Sequence, residues 1–291
     1  MDAAGILVID KPAGLTSHQV VGRVRRVFGT RKVGHAGTLD PMATGVLILG
    51  LNRATRLLGH LALHDKAYLA TIRLGAATTT DDAEGEPTGG ADASGLVRPA
   101  IEDAMVGLRG QIMQVPSTVS AIKVDGKRAY ARARAGEQVE LAARAVLVSR
   151  FEITADPRIE GQFCEIDVAV ECSSGTYVRA LARDLGARLG VGGHLTMLRR
   201  TRIGGYQLAD AVELDELHAD TELMSMATAA QLSFDCIEVD AQAAREVSYG
   251  RGLPTAVPGD PTGIIGPTGE LLALYRPTDD GSRPVAVFHP A

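Results

Sequence analysis

The segment Gly34-His35-Ala36-Gly37-Thr38-Leu39-Asp40-Pro41-Met42-Ala43-Thr44-Gly45 concentrates residue types that can do chemistry. Its three glycines and one proline exclude a regular helix and predict a shaped loop between two strands. Pro41 biases Asp40 away from the helical region, which holds its side chain off the local backbone ladder. Asp40 therefore reads two ways: a turn aspartate with a capping carboxylate, or a carboxylate presented on a rigid loop for chemistry. The neighbouring His35, and the apolar run Val46-Leu47-Ile48-Leu49 that anchors the loop, favour the second reading.

A second such place is Ser173-Ser174-Gly175-Thr176-Tyr177-Val178-Arg179. Thr176 or Ser174 can cap a following helix, which puts Tyr177 and Arg179 in its first turn. Arg179 is then either an exposed arginine on a capped helix or a fixed guanidinium that meets a carboxylate from elsewhere. Within about 4–6 Å of an aspartate, such a guanidinium keeps the acid ionised. A third place, Leu198-Arg199-Arg200-Thr201-Arg202, is a basic strand that reads as phosphate contact.

Competing chemistries lack their motifs. No Gly-Lys-Ser/Thr closes the Asp40 loop as in a phosphate-binding loop, and no GxGxxG follows a strand. Cys172-Ser173-Ser174-Gly175 lacks the first glycine of a nucleophile elbow. His60 and His64 have helical spacing, but no glutamate follows His60 and no third ligand offers itself, so they read as surface histidines. Neither a metal nor a cofactor is expected. The three cysteines, Cys164, Cys172 and Cys236, are odd in number and lack zinc spacing, which fits free thiols in a reducing cytoplasm.

The elements that must position these groups follow from periodicity. Gly5 to Asp10 is a short strand ended by Lys11-Pro12-Ala13-Gly14. Thr16 and Ser17 offer N-caps to a helix through Val20, Val21, Val24 and Val27, with Gly29 just past its end. Residues 46–49 read as a buried strand and 53–63 as a helix. Tyr68, Ala70, Ile72 and Leu74 alternate with Leu69, Thr71 and Arg73 as the two faces of a strand. Residues 78–96 form a polar, glycine-rich loop, and a helix follows over 98–108. Cys164, Ile166, Val168 and Val170 mark a half-solvated strand. Val178, Leu181, Ala182, Leu185 and Leu189 mark a helical stripe. Strands and helices mix without regular βαβ alternation, so the fold class is α+β. A composition shift near 205–235 precedes a glycine- and proline-rich tail that reads as a small all-β module.

The longest apolar run falls far short of the roughly 18 residues of a membrane span, and no secretory signal is visible. The net charge of −5 conceals a segregation. Residues 1–60, 121–150 and 172–204 carry +5, +4 and +5, whereas 205–291 carries −10. Three basic blocks can converge into a groove that tracks phosphates, with the acidic stretch turned away from it or touching it only locally.

Taken in order, these motifs resemble the TruB family of tRNA pseudouridine-55 synthases. The resemblance rests on Lys11-Pro12-Ala13-Gly14-Leu15-Thr16-Ser17, the loop ending in Asp40-Pro41, and Val115-Pro116-Ser117 with Ser120-Ala121-Ile122-Lys123. Ser174 to Ala180, Gly193-His194-Leu195 and Leu198-Arg199-Arg200-Thr201 complete it. It implies the pseudouridine synthase fold, a mixed and largely antiparallel sheet with flanking helices, over 1–234. It also implies a small PUA-like β domain over 235–291. Residues 121–150, with Lys127-Arg128-Ala129-Tyr130-Ala131-Arg132-Ala133-Arg134, resemble a basic RNA-gripping thumb.

The resemblance further implies isomerisation of a uridine in the T-loop of tRNA, without cofactor, metal or guide RNA, by a cytoplasmic monomer. It places Asp40 on the catalytic aspartate, Tyr68 on the tyrosine that stacks on the target base, and Arg179 on the arginine that pairs with the carboxylate. Tyr177 and Leu198 fall on pocket-lining positions, and His35 on the histidine that fills space vacated by flipped bases. Lys11 and Pro12 fall on a motif that buttresses the loop, and Lys11, Arg199 and Arg200 join the expected substrate contacts. Two other readings remain: a guide-dependent pseudouridine synthase subunit, and a non-catalytic tRNA-binding or RNA-folding module.

Overall fold

The computed structural model describes residues 4–117 and 141–290, together with the backbone of 123–124 and 127–128. Contacts divide the chain into two compact units. The first takes the chain up to Leu39, Val46–His64 and everything from Gly204 on; the second takes Asp40–Gly45 and Asp65–Ile203.

In the first unit, the strand Gly5–Lys11 is buried along nearly its whole length and lies beside the strand Thr44–Leu51. On its other side Ile9 and Asp10 pair in parallel with Val212 and Glu213. The strand Val33–Ala36 runs antiparallel to Ile48–Leu51, with His35 opposite Leu49. Thr16 caps the helix Ser17–Val27 through a reciprocal capping box with Gln19, and Val20, Val21 and Val24 form its buried stripe. The helix expected over 53–63 is broken. Asn52 takes a left-handed backbone (φ 53°), and a 3₁₀ turn at Asn52–Arg56 precedes a single α-turn at Leu58–Leu61. His60 and His64 are half-buried rather than on the surface, and the His64 ring lies 5.4 Å from that of Phe234.

The carboxy-terminal part of this unit is a four-stranded sheet in the order Cys236–Glu238, Thr262–Ile265, Leu271–Thr278, Gly281–Val287. It is not purely β. The helix Ala241–Ser248, capped by Asp240, sends Val247 into a core with Leu253, Val257, Ile264, Leu272 and Tyr275.

The second unit is built on an antiparallel sheet in the order Gly193–Ile203, Lys66–Leu74, Phe163–Cys172, Arg144–Ile153, Gly110–Gln114. The central strand alternates as its pattern predicts. Tyr68, Ala70, Ile72 and Leu74 are buried, whereas Leu69 is exposed. The helix Val178–Arg188 buries Val178, Leu181, Ala182 and Leu185 and packs on the Gly193–Ile203 strand. That approach needs Gly186, because a Cβ there would lie 2.2 Å from the Gly192 carbonyl carbon. Residues 98–106 form the expected helix. The polar loop after residue 74 carries a two-strand ladder, Ala77–Thr78 against Pro87–Gly89. Most of the thumb-like segment lies outside the described residues; Lys123–Val124 and Lys127–Arg128 pair as a short ladder.

Candidate active site

Asp40 begins where two anchored segments meet in the chain. Lys11, fully buried, turns its Nζ back to donate to the carbonyls of Pro12 (2.9 Å) and Leu15 (2.6 Å). That closes the Lys-Pro-Ala-Gly turn and sets the start of the helix at Ser17. The Ser17 hydroxyl, also buried, accepts from the Leu39 N–H at 2.9 Å and donates to the Leu39 carbonyl at 3.1 Å. The residue before Asp40 is thus held on both of its backbone groups. After Asp40, the Ala43 N–H closes a turn onto the Asp40 carbonyl. Then Thr44 and Gly45 pair in parallel with Arg199 and Arg200. Gly45 has φ +100°, and a Cβ there would come within 2.1 Å of the Arg200 carbonyl oxygen, so no other residue fits.

Arg179 reaches this loop from the first turn of its helix. Its Nε lies 3.0 Å from Asp40 Oδ2, its side chain 5% exposed against 36% for Asp40. A guanidinium at this separation favours the charged form of a carboxylate. The expected capping by Thr176 or Ser174 does not occur: Tyr177 is the N-cap without a side-chain cap, and the Thr176 hydroxyl donates to the Ser173 carbonyl instead.

Asp82, absent from the sequence-based site, completes the arrangement. Its Oδ2 lies 3.3 Å from Arg179 Nη1, which also donates to the Thr80 carbonyl at 2.9 Å. The Asp82 side chain is almost fully buried and accepts from the Thr80 hydroxyl and the Glu84 N–H. A buried carboxylate of this kind is retained when paired and hydrogen-bonded, and here it holds a second nitrogen of the arginine that meets Asp40. Asp81 takes a left-handed backbone (φ 60°), and the Leu195 N–H donates to its carbonyl. Its carboxylate meets Arg183 at 3.2 Å, and burial pushes the Asp81 carboxyl above its ordinary range. The only sequence signal for this pair is two adjacent aspartates inside a threonine- and glycine-rich loop.

Tyr68 and Arg200 are cross-strand partners, and Arg200 hydrogen-bonds the phenol. Burial pushes the Tyr68 phenol above its ordinary pKa; Arg200 acts in the opposite direction. Burial likewise lowers Arg200, with Tyr68 and Asp40 favouring its charge. Arg200 is 1% exposed, which corrects the reading of it as a phosphate contact: a side chain with no solvent face cannot meet an RNA backbone. Its place is across the ladder from Tyr68, hydrogen-bonded to the phenol. Lys11 is likewise buried, and its ammonium donates to the Pro12 and Leu15 carbonyls within the loop it was expected to buttress. Lys66, also buried, is lowered to about 8 by burial first and Arg200 second.

Leu198, opposite Ala70, is buried on the same strand. Arg199 is half-buried and donates to the Thr44 hydroxyl at 3.2 Å. Tyr177 is half-buried, with the Arg144 guanidinium 4.8 Å from its ring centre. The structure therefore gathers Asp40, Arg179, Tyr68 and Arg200, adds Asp82, and places Tyr177 two residues from Arg179. His35 and Lys11 lie in the first unit.

The family model for the N-terminal domain of TruB family pseudouridylate synthases matches residues 25–178. The chain belongs to the TruB family. Models of the tRNA pseudouridylate synthase B C-terminal domain and of the tRNA pseudouridine synthase II C terminus match 179–237 and 234–289. Over 279 residues the chain is 62% identical to a tRNA pseudouridine synthase B of Cutibacterium acnes, covering 95% of this chain and 94% of that protein. It is 57% identical to one of Rhodococcus jostii over 99% of this chain and 95% of that protein. Among solved structures, a Cbf5–Nop10–Gar1 complex is 26% identical with a TM-score of 0.74, covering 98% of this chain and 85% of that one. An H/ACA RNP bound to a substrate RNA containing 2′-deoxyuridine is 25% identical with a TM-score of 0.72, over the same shares. The TruB chain thus has the pseudouridine synthase fold expected from its motifs, an α+β fold on a large mixed sheet with a C-terminal β domain.

Proposed function

We propose that this protein converts the uridine at position 55 in the T-loop of tRNA into pseudouridine, acting without a guide RNA. The reading rests on the Asp40–Arg179 ion pair beside Tyr68, in a family whose curated members carry the name tRNA pseudouridine synthase B. The reaction breaks the N1–C1′ glycosidic bond, turns the uracil and joins C5 to C1′. The C5 proton leaves and N1 gains one, so atoms and electrons balance without a co-reactant.

A uracil inside a base stack cannot turn, so the nucleotide is flipped out at a cost of a few kcal/mol. Stacking on Tyr68 recovers about 1–3 kcal/mol. Asp40 acts at C1′, as nucleophile, base or stabiliser of positive charge. All three roles need it ionised, which Arg179 favours. Arg200 holds the Tyr68 phenol by a hydrogen bond, and Leu198 and Tyr177 line the pocket. His35 fills the space that flipped bases leave, and Arg199, half-buried beside Thr44, contributes to RNA binding.

In this reading residues 1–234 form the catalytic part, 235–291 a PUA-like part, and the protein works as a cytoplasmic monomer. Among the described residues no helix is long and apolar enough to cross a membrane. The test is to incubate the purified chain with an unmodified tRNA transcript and map pseudouridine. Product at position 55 is expected; no product without an added guide RNA would overturn the reading.

A further inference from the structure

The first turn of the Val178–Arg188 helix is held by a pair of residues that neither the motifs nor the proposed mechanism uses. Gln114, the last residue of its strand, is fully buried. Its amide nitrogen donates to the Tyr177 carbonyl at 3.1 Å, and its amide oxygen accepts from the Tyr177 N–H at 2.8 Å. A primary amide has one donor edge and one acceptor edge, so it satisfies both backbone groups of a single extended residue. It does so where the helix has no side-chain cap.

Directly across the ladder, Arg144 is the registered partner of Gln114. Its guanidinium covers one face of the Tyr177 ring at 4.8 Å. Arg144 Nε and Nη2 are buried and make no hydrogen bond among the described residues, while the guanidinium carbon lies over the ring. One cross-strand pair thus grips both the main chain and the ring of Tyr177. Two residues further on is Arg179, paired with Asp40.

We propose that Gln114 and Arg144 are positioning residues for the isomerisation. Gln114 sets the backbone from which Tyr177 and Arg179 project. Arg144 occupies one face of the Tyr177 ring, fixes its plane and leaves the remaining surface of the ring to the uracil. The inference rests on the pocket role of Tyr177 given above.

The experiment is a double-mutant cycle in the full chain, reading single-turnover rate and tRNA affinity separately. Arg144→Met keeps the aliphatic stem and is expected to slow the chemical step about tenfold, with tRNA affinity and its salt slope changed by less than about twofold. On a Tyr177→Leu background the same substitution is expected to have no further effect. Gln114→Leu is expected to slow the step on either background, because it acts through the main chain. Gln114→Glu, which keeps the acceptor, is expected to recover part of the rate, and melting curves establish that each variant is folded.

Weaker, less salt-dependent tRNA binding by Arg144→Met at an unchanged rate would make Arg144 a phosphate ligand and overturn the inference. An undiminished Arg144→Met effect on the Tyr177→Leu background would also overturn it, as would full activity of folded Gln114→Leu. Full activity of Tyr177→Leu alone would remove Tyr177 from the pocket, and the inference with it. A slow Tyr177→Leu beside a fully active Arg144→Met would sink the inference and leave the pocket reading intact.

Discussion

Two places on the second unit use an arginine to bridge two carboxylates, in opposite settings. At the candidate active site, Arg179 joins Asp40 and Asp82 with its side chain 5% exposed. On the outer face of the sheet, Arg158 joins Asp167 and Glu165 at 44% exposure. Arg73 adds a contact to Glu165 at 2.6 Å, and the Thr71 hydroxyl one to Asp167. What differs is the burial of the arginine, and it changes what the pairs can do. An exposed guanidinium keeps much of its water and contributes little to stability through its ion pairs. A buried guanidinium has lost its water, so its position is dictated by its acceptors, and removing one leaves an uncompensated charge. The outer arginine sits on the solvated face of the sheet; the inner one fixes the geometry of the candidate site.

The largest expected effect is on Asp40. Asp40→Ala should abolish pseudouridine formation, by more than about a thousandfold on the scale of groups that act chemically. It should retain tRNA binding, because the side chain is a minor part of the contact surface. Residual turnover within tenfold of the wild type would remove Asp40 from the chemistry.

Next comes Arg179. Arg179→Ala strands the buried Asp82 and should lower folding stability by about 3–5 kcal/mol along with activity. Arg179→Lys keeps the charge but loses the fork that meets two carboxylates and a carbonyl at once. It should stay close to wild type in stability and still be slow; equal losses of rate and affinity would instead point to simple phosphate contact. Asp82→Asn, which preserves shape, is expected to reduce kcat by about ten- to a hundredfold with KM little changed, the loss of one charge-assisted contact to a catalytic partner. An unchanged kcat would place Asp82 outside the network.

How much of this contrast the sequence carries can be seen residue by residue. Asp40 and Arg179 sit in dense motifs of glycine, proline and hydroxyl residues, types that signal a shaped backbone. Asp82 and Gln114 do not. Asp82 lies in a stretch whose composition is that of any polar loop, and its burial comes from the ladder between Asp82 and Leu195, a contact across more than a hundred residues. Gln114 looks like an ordinary strand-end residue until the register of the sheet brings Tyr177 to it. Arg200 misled for a related reason. Three arginines in five residues read as a phosphate-binding strand, but alternation turns Arg200 inward, opposite Tyr68, while Arg199 stays half-buried beside Thr44. Periodicity located the strand itself; which of its charges are buried depended on its neighbours.

The smallest expected effect belongs to the outer cluster, and it tests the contrast most directly. The Asp167 carboxyl is lowered from its ordinary value, mainly by its hydrogen bond with Arg158. A carboxyl lowered in the folded state contributes stability above its unfolded pKa, near 3.8, and loses that contribution as pH falls through the folded value. Arg158→Ala should therefore flatten the acid limb of the melting-temperature profile below about pH 4, leaving stability at pH 7 within about 1 kcal/mol of wild type. Added salt should shrink even that difference, because charges this exposed are screened. Pseudouridine formation should not change. A loss at pH 7 as large as that of Arg179→Ala would mean that contacts, not burial, set the value of an arginine bridge, and the distinction between the two regions would fall.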